Sequence, residues 1–258
     1  MGTFRVQVPN ALERTALVLS LGLLTGLAWL VLWLTDSTIH SLLHPHHHHA
    51  MAASQATGAL PLLFLAGWIV MTTAMMLPTT LPVVITFFAF VRERTDRAGL
   101  VTLVIIGYIV VWAAFGGLVY LGNMVTRWVV EVSPWLQRNQ WAGGAALVLL
   151  AGLFQFSSLK YRCLDKCRSP LSFVIEHWHG ERHRWQALRL GIAHGLFCVG
   201  CCWALMLLMF VASITDLLWM LILGLVMAIE KNMPWGRRIS APLGIFLLAW
   251  GTILLVVA

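Results

Sequence analysis

Residues 59–91 read ALPLLFLAGWIVMTTAMMLPTTLPVVITFFAFV, without one charged side chain. A hydrocarbon core is crossed by roughly 20 apolar residues in a helix. Backbone groups in lipid must be paired within their own segment, which favours helix over open strand. This run therefore reads as a membrane helix, longer than one crossing requires. Pro78 and Pro82 each remove a backbone donor, so the helix is expected to kink at Pro78/Pro82.

Similar blocks flank it, at about 14–35, 99–123, 140–159, 187–211, 216–231 and 239–257. The reading is all-α: a polytopic membrane helix bundle with about seven transmembrane helices. Transmembrane strands would show short alternating segments, and none is seen. Of 258 residues 60% are hydrophobic and 10% charged, against about 25% charged in soluble domains. The mean hydropathy is +0.84. Two regions are expected: 1–58, a first transmembrane helix plus a His-rich outer loop, and 59–258, a metal-binding-like helix bundle. The first apolar block is too long for the core of a secretory signal.

The net charge of +7 would point to nucleic acid in a soluble protein. Here it sets topology, and no nucleic-acid partner is expected. With the N-terminus inside, Arg127 and Arg138 are the two cations left outside, out of 17 Lys and Arg. Cytoplasmic loops carry the excess of positive charge. The expectation is a multi-pass protein of the bacterial cytoplasmic membrane. Its N-terminus is cytoplasmic; its C-terminus and His-rich loop are outside. Trp29, Trp33, Trp128, Trp135, Trp141, Trp185 and Trp235 fit an interfacial belt. Residues 160–186 read as a long basic connection, with 171–186 as an amphipathic helix on the inner surface.

Three sulfur and imidazole clusters carry the candidate chemistry. Met71 and Met75 lie four apart, next to Met76, just before Pro78. Thioether is a soft neutral ligand that suits Cu(I), although methionine also fills gaps in helix packing. His194, Cys198, Cys201, Cys202 and Met206 follow steps of three and four along one helical stripe. Gly191, Gly195 and Gly200 accompany that stripe and permit close helix approach. Imidazole, thiol and thioether together suit Cu(I) first and zinc second. Cys163 and Cys167 lie four apart among Lys and Arg, which favour a reactive thiolate.

An outer tract adds His40, His44, His46, His47, His48 and His49, a metal-capturing composition. Glu230 precedes Lys231 at the end of an apolar block, where an acid is costly unless paired or functional. The bland alternative is a Glu230–Lys231 pair at headgroup level. Asp216 reads as a helix N-cap. No Walker, Rossmann, H-E-x-x-H or G-x-S-x-G fingerprint occurs. No catalytic residue is assigned, and a binding role is preferred to an enzymatic one without closing the latter.

Four of these motifs recur in order: Met71 to Pro78; Leu159-Lys160 through Cys163, Cys167 and Pro170; Gly195 through Cys198, Cys201-Cys202-Trp203 to Met206; and Glu230-Lys231. Together they resemble a bacterial family of predicted metal-binding integral membrane proteins, over about residues 60–240. The resemblance implies Met71, Met75, Met76, Cys163, Cys167, Cys198, Cys201, Cys202 and Glu230 as ligands. The first helix and the His tract lie outside it. The leading expectation is a membrane protein that handles Cu(I), by transport, storage or delivery to a copper enzyme. Two alternatives stand beside it. One is a membrane thiol–disulfide oxidoreductase using Cys163/Cys167 and Cys198/Cys202. The other is an accessory subunit bound to other membrane subunits in the lipid bilayer.

Overall fold

The computed structural model describes residues 10–42, 59–139, 141–180, 182–212 and 216–257. The chain runs through α1 (Ala11–Leu42), α2 (Ala59–Met76), a 3-10 turn (Pro78–Thr80) and α3 (Leu81–Val91). It continues with α4 (Arg97–Val132), α5 (Pro134–Arg138), α6 (Trp141–Phe154), α7 (Ser158–Cys167) and α8 (Pro170–His177). It ends with α9 (His183–Leu207), α10 (Met209–Ala212), α11 (Leu217–Asn232), a 3-10 turn (Gly236–Ile239) and α12 (Ser240–Val257). No strand occurs among the described residues.

Four segments are long and apolar enough to cross a membrane: Ala11–Thr35, Arg97–Val132, His183–Val211 and Gly236–Val256. Among the described residues the number rises to as many as six where each of two bent pairs forms one span: Pro61–Met76 with Pro78–Val91 at 47°, and Trp141–Phe154 with Ser158–Arg168 at 64°. The chain is a multi-pass membrane protein by these lengths and compositions. The sixth expected span, at 216–231, corresponds to α11, which has 16 residues. It reaches about 24 Å at 1.5 Å per residue, short of a hydrocarbon core of about 30 Å.

The bend after α2 falls at the prolines. Pro78 cannot donate to the carbonyl of Ala74, one helical turn earlier. That oxygen instead accepts from the Trp29 indole of α1 at 3.2 Å. Trp29 thus serves the helix break. Thr79 Oγ1 donates to Met76 O at 2.8 Å, and Thr80 Oγ1 to Leu77 O at 2.7 Å. Pro82 likewise frees Pro78 O, which accepts from the Leu81 N–H.

α4 and α9 pack at backbone contact. A Cβ on Gly107 would lie 2.5 Å from Leu188 O, and one on Gly191 would overlap Val104 O. Only glycine admits this approach, which holds Tyr108 of α4 against the face of α9 that carries the cysteines.

Charged side chains tie together the segments around the starts of α1, α4 and α9. Glu13 pairs with Arg92 at 2.8 Å and Arg97 at 3.2 Å, tying α1 to the loop before α4. Arg94 binds Asp96 at 2.8 Å and reaches His183, at the start of α9, at 3.0 Å. The Arg94 guanidinium holds the Asp96 carboxyl below its usual range.

Residues 160–186 are not the loop expected from their charge. Ser157 caps α7, accepting from Leu159 N at 3.1 Å, and α7 folds into the protein with Lys160, Cys163 and Leu164 buried. Lysine can enter because its charge is paired there. α8 is a single short helix, with Phe173 and Val174 buried in the core beside Phe87 and Phe88 of α3. Asp216 caps α11 as expected, accepting from Trp219 N at 3.0 Å.

Candidate metal centre

The stripe on α9 faces inward. His194, Cys198, Cys201, Cys202 and Met206 are all buried. Helix spacing of three and four residues keeps them on one side, and α2, α4, α7 and α11 converge there.

Met76, the last residue of α2, brings its sulfur to 3.9 Å from Cys202 Sγ. Cys198 Sγ lies 3.0 Å from the Tyr108 hydroxyl. Lys231 of α11 points its ammonium into the same space. Its Nζ lies 2.9 Å from Cys198 Sγ, 3.6 Å from Met76 Sδ and 3.7 Å from Cys202 Sγ. Thr79 Oγ1, at the proline break, completes the contacts at 3.5 Å. Three soft sulfurs from two helices therefore surround one cation. Met76 is 0% exposed, Cys198 and Cys202 1% each.

Cys201, whose thiol also meets those of Cys198 and Cys202, bridges this cage to α7. Its thiol meets that of Cys167 and also donates to Cys198 O at 3.1 Å. Cys163 Sγ packs on Gly200, where an added Cβ would lie 2.6 Å from the sulfur. All five cysteines are free thiols.

The other expected ligands take varied places. Met71 and Met75 are buried in the same core, and Met75 packs beside Gly224 of α11. Met206 is buried one turn beyond Cys202. His194 stacks on Tyr108, with ring centres 5.6 Å apart, and meets the Phe173 ring edge-on. Its Nδ1 has no hydrogen-bond partner among the described residues. His44, His46, His47, His48 and His49 lie outside the described residues.

Glu230 is committed elsewhere. Its carboxylate binds Lys160 Nζ at 2.7 and 2.9 Å and accepts from Ser240 Oγ at 2.7 Å. Lys160 also bonds the Gln155 side chain. Arg168 donates to Glu230 O at 2.5 Å and Pro234 O at 2.8 Å. Glu230 and Lys231 are neighbours in sequence, but successive helical side chains point about 100° apart. The partner of Glu230 is therefore Lys160, not Lys231. The sequence reading missed Lys160 as that partner, Tyr108 and the central place of Lys231.

Among the described residues, no three His, Cys, Asp or Glu side chains group to hold a metal. The cage that does form depends on a thioether. The sequence model of the copper chaperone family PpoB2 matches residues 65–254. The chain belongs to this copper chaperone family. The match covers the methionine, α7, α9 and α11 motifs of this family member and excludes α1 and the His tract. No curated protein and no solved structure matches the chain.

Proposed function

We propose that this protein carries Cu(I) within the bilayer on Met76, Cys198 and Cys202 and delivers it to a copper enzyme. The cage itself carries this reading: three soft donors converge on a single buried cation. Thiol and thioether favour Cu(I) over hard cations. Zinc takes four N, S or O ligands in structural sites, a set that this cage does not offer.

Cys201 and Cys167 extend the sulfur path towards α7, with Cys163 beside them. His194, Met206, Met71 and Met75 flank the cage along α9 and α2 as further donors. Glu230 acts as the counter-ion of Lys160 and does not ligate. The basic segments face the cytoplasm, in keeping with the charge bias. The His tract, on the opposite side, collects metal ahead of the cage. The protein resides in a bacterial cytoplasmic membrane.

The test is copper content of the full chain purified in detergent under reductant. Wild type should hold Cu(I). Cys198→Ala with Cys202→Ala should lose it, and Met76→Leu should weaken it. Equal copper in the double variant and wild type would sink the reading.

A further inference from the structure

We propose that the ammonium of Lys231 occupies the Cu(I) position of the sulfur cage and leaves it when the metal arrives. The inference rests on the copper reading above and adds an occupant and an exchange.

A buried ammonium ordinarily finds a carboxylate, because an unpaired charge is costly away from water. The nearest acid in sequence, Glu230, is held by Lys160 and Ser240. Lys231 instead has Cys198, Cys202, Met76 and Thr79 as its neighbours. These are the contacts a ligand cage gives to its guest. The two guests exclude each other. Metal–thiolate bonds are about 2.3 Å long for a first-row ion such as zinc. The ammonium nitrogen lies within 3.7 Å of all three sulfurs, so it fills the space such bonds would need.

Exchange is cheap for a singly charged guest. Cu(I) brings one positive charge for the one that the ammonium removes, and a cage thiol that becomes a thiolate ligand gives its proton up to solvent. A divalent ion would add a charge that the bilayer interior penalises. Lys231 also has somewhere to go. It lies one residue before the end of α11, and its flexible stem lets the ammonium swing towards the carbonyls of the helix C-terminus, where a cation is favoured.

The test is a Cu(I) competition against a chromophoric chelator under reductant, on full-length wild type, Lys231→Leu and Lys231→Gln. A guest that fills the cage nine-tenths of the time weakens apparent affinity by about tenfold. Both variants should therefore bind Cu(I) about tenfold tighter. Unchanged or weaker binding in folded variants overturns the exchange. A structure of wild type with Ag(I), a redox-inert substitute for Cu(I), decides the matter without a variant. Nζ should leave contact with the three sulfurs; Nζ still among them overturns the proposal. If wild type takes up no Cu(I), the copper reading itself fails, whatever the variants do.

Discussion

At the scale of single residues, the cage is a case of chemistry assembled by turning side chains inward. The α9 stripe was legible, because steps of three and four place Cys198 and Cys202 on one face. Met76 was legible as a soft donor near a break. The central role of Lys231 was not. A lysine at the end of an apolar helix reads as a headgroup contact, and only packing decides whether its ammonium turns inward. Tyr108 was hidden for the same reason, since nothing in its own segment marks it. Its hydroxyl touches Cys198 Sγ at 3.0 Å and lies 3.4 Å from Met76 O. Tyr108→Phe keeps the ring and removes that bond, worth about 1 kcal/mol. Cu(I) affinity should fall about fivefold in the chelator competition, with no loss of helix by circular dichroism.

At the scale of elements, α7 is the piece that composition concealed. Lys160, Arg162, Lys166 and Arg168 look like a loop left in water. Burial became affordable because Glu230 on α11 meets Lys160, at 2% and 0% exposure. Arg168 adds two bonds to backbone carbonyls across the same joint. This joint holds Cys163 and Cys167 against α9. Removing one partner of a buried pair costs about 3–5 kcal/mol. Glu230→Met should lower the thermal midpoint of the detergent-solubilised protein markedly. Lys160→Met in the same chain should restore part of the loss, because no uncompensated charge then remains. The proline break was the opposite case: Pro78 announces it in sequence. What sequence could not give is the repair, in which Trp29 crosses from α1 to the freed carbonyl of Ala74.

At the scale of the whole molecule, composition alone carried the all-α membrane assignment, since 60% hydrophobic residues leave little else. The number of crossings was harder. Hydrophobic blocks give lengths, but a bend of 64° between α6 and α7 depends on contacts between distant segments. Ion pairs between distant segments were likewise hidden in the sequence. Glu13 reaches Arg92 and Arg97 from more than seventy positions away.

If Met76, Cys198 and Cys202 carry copper as proposed, their burial sets how quickly it can come and go. With none of these three cage donors open to the surroundings, a metal carried there as proposed would pass only when helices part, a motion of about microseconds to milliseconds or slower. Loading should thus become independent of donor concentration once opening is limiting. In stopped-flow transfer from a Cu(I) chelate, the observed rate should climb and then level off, with the same ceiling for chelators of different size. A rate that keeps rising linearly would mean the cage breathes faster than copper is offered to it.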